Sequence, residues 1–184
     1  EMPNAQPIEL MWAAYGPGGS ERDDLKDDQM RKKEVQQLER VHVRGAIKAR
    51  LLAMANSDNQ AHEVLFSFWL NHFSIYAPKS FGKILAADYA RHIEAAMKED
   101  SFETLLRASF FHPAMQIYLD NAQSTAPNSR AARFAANRGK KPGINENLAR
   151  ELMELHTLGV DAGYTQTDVQ ELARVISGAG VLRA

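Results

Sequence analysis

His72 and His156, with the carboxylates Glu151, Asp120 and Glu154, are the residues of this chain best suited to chemistry. Imidazole nitrogens and a carboxylate are the donors of zinc and iron sites, and a site with one open position binds water. Such a water is a nucleophile at neutral pH. This reading makes His156 and Glu151 candidate catalytic residues. It makes His72, His156 and Asp120 candidate ligands, and a divalent metal the cofactor. No His-Glu-x-x-His or His-x-His run gathers these groups, and Glu151 and His156 diverge on a helix. The ligands therefore have to converge from different helices. The competing reading buries both histidines in the core, each satisfied by one backbone or Asp partner, and the sequence favours it.

A second set, Asn145, Glu146, Asn147, Arg150 and Glu151, lies at the start of a helix, directly after a basic stretch. Unpaired N–H groups there suit an anion, which makes Asn145 and Arg150 candidate ligand-binding residues. Glu146 opposes that charge, and an acidic first turn is also what the helix dipole favours. Between Asn121 and Asn145 the charged residues are Arg130, Arg133, Arg138, Lys140 and Lys141. Phe134 is the only aromatic among them, so base stacking is poorly supported and nucleic acid is not an expected partner. No Gly-x-Ser-x-Gly elbow exists for a serine nucleophile. Phe66, Phe68, Trp69 and Phe73 read as core packing.

Helices must position these groups. After an irregular N-terminal segment over residues 1–27, Asp27 and Asp28 lead into a long helix ending near Met54, with Leu38, Val41, Gly45, Ala49 and Leu52 at helical spacing. A helix from about Gln60 to Tyr76 places Val64, Leu65, Phe68, Trp69 and His72 on one side, expected to face the core. Helices follow from about Ala86 to Lys98, after the N-cap Ser101, and from Pro113 to about Asn121. Ala122 to Gly143, rich in Pro, Gly and Asn, reads as one long basic loop. Asn145 caps a helix to about Leu158 with Leu148, Leu152 and Leu155 as its stripe, His156 on the apolar side and Gly159 as its stop. Thr165-Gln166-Thr167-Asp168 forms a capping box. The helix it opens has Val169, Leu172, Ala173 and Ile176 as its apolar face. The expected fold is an all-α single-domain bundle of about six to eight helices over residues 28–184, centred on Phe68 and Leu152.

At 184 residues the chain suffices for one domain with a sizeable core. The net charge of -1 provides no global field for nucleic acid or an anionic membrane. Its apolar runs fall far short of the roughly twenty residues a bilayer span requires. Residues 1–20 show no basic start followed by an apolar block, so no signal peptide is expected there. With no cysteine, disulfides, thiolate metal sites and a cysteine nucleophile are excluded.

Three separated blocks carry a family resemblance. They are Phe68-Trp69-Leu70-Asn71-His72-Phe73, then His112-Pro113-Ala114-Met115 with Tyr118-Leu119-Asp120-Asn121, and the long run Asn145 to Val169. Together they resemble the bacterial family named domain of unknown function 1800 (DUF1800), over roughly residues 35–178. The likeness is to the N-terminal part of members that are typically longer. Ala179 stands where members often show Trp. The resemblance implies an exported bacterial protein, periplasmic or extracellular, and no known activity. The leading expectation is a helical scaffold or binding module of unknown ligand, facing a partner protein or the remaining C-terminal part of a longer chain. The alternative is a metal-dependent hydrolase-like enzyme using His72, His156 and Glu151.

Overall fold

Side-chain caps set most of the helix starts. In the computed structural model, which describes residues 25–78, 82–126, 129–137 and 143–180, the helices are α1 (Leu25–Asn56), α2 (Gln60–His72), α3 (Gly82–Met97), α4 (Phe102–Phe111), α5 (Pro113–Tyr118), α6 (Arg130–Asn137), α7 (Asn147–Glu151) and α8 (Gln166–Ile176). A short 3-10 turn, Asn121–Gln123, follows α5, and a π-helical stretch, Leu152–Thr157, continues α7. No strand occurs among the described residues, so the fold is all-α as expected. Asn59 accepts from the His62 amide at the start of α2, and Ser101 accepts from Thr104 at the start of α4. Thr165 and Asp168 complete the expected capping box of α8 in both directions. α3 is the hub, packing on α1, α2, α4 and α5, while α7 packs on α8.

The core holds Phe66, Phe73, Tyr89, Ile93, Met115, Leu148, Val169 and Ala173. The α8 face is as expected, with Val169, Ala173 and Ile176 buried. The centre is not at Phe68, which is 56% exposed, nor at Leu152, which is only partly buried. α2 turns a different face inward: Glu63 and Phe66 are buried, whereas Val64, Leu65 and Phe68 are exposed. Arg50 of α1 is the physical reason. It pairs with the Glu63 carboxylate, donates to the Glu63 carbonyl at 3.0 Å and lies 4.5 Å above the Phe66 ring. A carboxylate can face inward where a guanidinium follows it.

α1 differs in the same way. Val41, Gly45, Ala49 and Leu52 face solvent, and the half-buried side carries Val43, Ala46, Arg50 and Ala53. Leu38's side chain lies outside the described residues.

The expected long loop is interrupted by α6, which Ser129 caps by accepting from the Ala132 amide at 3.0 Å. Its ends are tied where the Thr125 amide donates to the Gly143 carbonyl at 2.8 Å. Pro127, Asn128 and residues 138–142, including the basic Arg138, Lys140 and Lys141, lie outside the described residues. So do residues 1–24, most of the expected irregular N-terminal segment.

Candidate functional site

His72 closes α2, and His156 lies in the π-helical stretch after α7. The amide of Leu158 donates to the carbonyl of Met153 at 2.9 Å, five residues back. The Thr157 hydroxyl donates to the Leu152 carbonyl. This widened turn carries Leu155 outward, 58% exposed, and leaves His156 inward at 5%. The two rings come to 6.2 Å between centroids. Phe73 packs edge-on against His156 at 5.3 Å, and Trp69 and Phe102 flank His72. Nε2 of His72 donates to the main-chain carbonyl of His156 at 3.2 Å. That nitrogen therefore carries the ring proton in this arrangement. Burial, and secondarily the neighbouring His72, push the pKa of His156 down to about 4. The imidazole is neutral at pH 7 because its surroundings are apolar.

The structure thus unites His72 and His156 and leaves their expected carboxylates elsewhere. Neither Glu151 nor Asp120 joins them in a group compact enough for one ion, among the described residues. Glu151 is half-buried. Its pKa is raised by burial and by Glu154, with Arg150 opposing. Asp120 sits in the left-handed region at φ 60, where it precedes the 3-10 turn and accepts from Gln123. Asn145 and Arg150 are engaged within the fold. The Asn145 side chain accepts from the Asn147 amide at 2.9 Å. Arg150 donates to Gln166 at 2.8 Å and to Glu146 at 3.4 Å, and Gln166 donates to Glu146 at 2.7 Å. This ring of three side chains ties α7 to α8.

Asn121 does similar work at the end of α8. Its Nδ2 donates to Gln116 at 2.7 Å and to the carbonyls of Ile176 and Ala179 at 3.2 and 2.8 Å. Its Oδ1 is the one buried side-chain polar atom without a partner among the described residues.

A second cluster escaped the sequence reading. Asp88 and His92 stand one turn apart on α3, and His112 stands at the junction of α4 and α5. Pro113 forces a chain break there, and His112 caps α5, its Nδ1 accepting from the Ala114 amide at 3.1 Å. Nε2 must then hold the ring proton, which it donates to Asp88 Oδ2 at 3.2 Å. Burial lowers the pKa of His112, with Asp88 working the other way and His92 adding to the fall. Arg91 donates to Asp88 Oδ1 at 2.7 Å. The sequence signal was the Asp88-x3-His92 spacing. Its third member lies twenty positions on, behind a proline that reads only as a helix break.

A family model described as "Protein of unknown function (DUF1800)" matches residues 4–183. No curated protein and no solved structure matches the chain. With the three motif blocks inside that span and built into one helical core, the chain belongs to the DUF1800 family.

Proposed function

We propose that this domain is a helical scaffold or binding module of an exported bacterial protein. The observation that carries the reading is how the polar side chains of the family blocks are used. His72 bonds to the backbone of His156, Arg150 to Glu146 and Gln166, Asn121 to the end of α8, and Thr165 and Asp168 to each other. These groups serve helix ends and helix contacts, where a catalytic site would aim them at a common point. The exposed apolar residues Val41, Ile47, Leu51, Leu52 and Met54 of α1 supply contact surface for a partner protein or for further parts of a longer chain. No described helix is long and apolar enough to cross a membrane. Export rests on the family resemblance.

The test compares His72→Ala and His156→Ala with the parent chain for bound metal and for melting temperature. The scaffold reading expects both variants to melt earlier with metal content unchanged. Loss of a stoichiometric metal from a variant that keeps its fold would overturn it in favour of the hydrolase. Cell fractionation checks the second half: recovery from the cytoplasm alone would remove export.

A further inference from the structure

We propose that Asp88, His92 and His112 bind a single divalent transition-metal ion of the zinc class, joining α3 to the α4–α5 junction. This goes beyond the scaffold reading and involves neither His72 nor His156. One ligand atom from each of the three residues fits within 4.8 Å of the others. Asp88 Oδ2 lies 3.2 Å from His112 Nε2 and 3.7 Å from His92 Nδ1. A tetrahedral ion bound at about 2.0–2.2 Å needs ligand atoms roughly 3.3–3.6 Å apart, so the two separations bracket that edge. Two nitrogens and a carboxylate oxygen suit zinc, cobalt or nickel and are a poor set for magnesium or calcium. His112 is buried and held by its surroundings, while His92 is exposed and leaves a position open to solvent. Arg91 holds the other carboxylate oxygen, orienting Asp88 from outside the ligand set.

The proton balance gives the site a recognisable signature. Without an ion, His112 keeps its proton on Nε2 because Nδ1 accepts from Ala114. His92 Nδ1 lies 3.0 Å from the Asp88 carbonyl and keeps its proton there. An ion takes the lone pairs of both nitrogens. The His92 proton moves to Nε2, and the His112 proton moves to Nδ1. Asp88 binds through its carboxylate, so no proton is released when both rings begin neutral. The cost falls on α5, where the Ala114 amide loses its acceptor. Ion binding is therefore coupled to the first turn of α5.

Cobalt(II) titration of the chelator-treated full chain near neutral pH tests the proposal, read by visible absorption and by the ¹⁵N resonance of Ala114. One equivalent of cobalt with tetrahedral absorption and a shifted Ala114 amide is the expected result. His92→Ala and Asp88→Asn should each weaken binding by at least about tenfold, as loss of a ligand does at least as much as loss of an outer partner. His112→Asn keeps a helix-capping acceptor while removing the imidazole, and it too should lose the ion. His72→Ala should bind cobalt like the parent. No stoichiometric uptake, uptake insensitive to both α3 variants, or an unmoved Ala114 amide would each overturn the assignment.

Discussion

Removing Arg50 probes the contact that decides which face of α2 is buried. Arg50→Ala strands the Glu63 carboxylate, whose side chain retains only 11% exposure, and removes the cation above Phe66. Breaking a buried pair typically costs about 3–5 kcal/mol, whereas an exposed pair is worth about 0–1 kcal/mol. The Arg50 side chain keeps 23% exposure, so water reaches one end of the pair and the low end applies, about 3 kcal/mol. At roughly 2–4 °C per kcal/mol for a chain of this size, melting should fall by about 6–12 °C. The double variant Arg50→Met/Glu63→Leu removes both charges and keeps apolar volume. It should recover to within about 1 kcal/mol of the parent, since the penalty belongs to the unpaired charge. Urea unfolding of the parent, Arg50→Met, Glu63→Leu and the double variant measures the coupling directly. A cost below about 1 kcal/mol for Arg50→Ala would show that the pair acts as a surface pair. The account of the inward face of α2 would then fail.

Two further outcomes follow from the histidine pair and from Asn121. His156 is lowered in the folded state from its ordinary 6.5 to about 4, so the unfolded chain binds its proton first. Stability is full above pH 6.5 and declines as pH falls from 6.5 towards about 4. The loss is on the order of 3 kcal/mol at about 1.4 kcal/mol per pH unit. His156→Phe should flatten that slope in a urea series, and an unchanged slope would refute the assignment. Asn121→Ala leaves the carbonyls of Ile176 and Ala179 short of a donor and should cost about 1–3 kcal/mol. Hydrogen exchange should speed up at the end of α8 first, and uniform acceleration across the chain would argue against a local clamp.

Local chemistry made much of the fold legible. Ser101, Thr165 with Asp168, and Pro113 act on backbone groups within four positions, so their helix ends could be read without knowing any neighbour. α8 was readable because its apolar residues form a single stripe. α1 and α2 each offer more than one apolar face, and periodicity cannot rank two faces of similar hydrophobicity. Arg50, reaching across from α1, made the choice by allowing Glu63 to be buried, and that contact spans thirteen positions. α6 was hidden because a stretch rich in Pro, Gly and Asn resembles a loop throughout, whereas the helix within it needs only eight residues and a Ser cap.

The sequence by itself determined the helical class, the caps of α4 and α8, the proline start of α5 and the family, because each depends on neighbours along one helix or on a run of motifs. Tertiary structure alone decided which polar groups from different helices meet. His72 was placed on the carbonyl of His156, and Asp88 and His92 were set against a histidine from another helix junction. Side chains within bonding distance need have no fixed separation along the chain. Only the packing of α3 against the α4–α5 junction brings Asp88, His92 and His112 together.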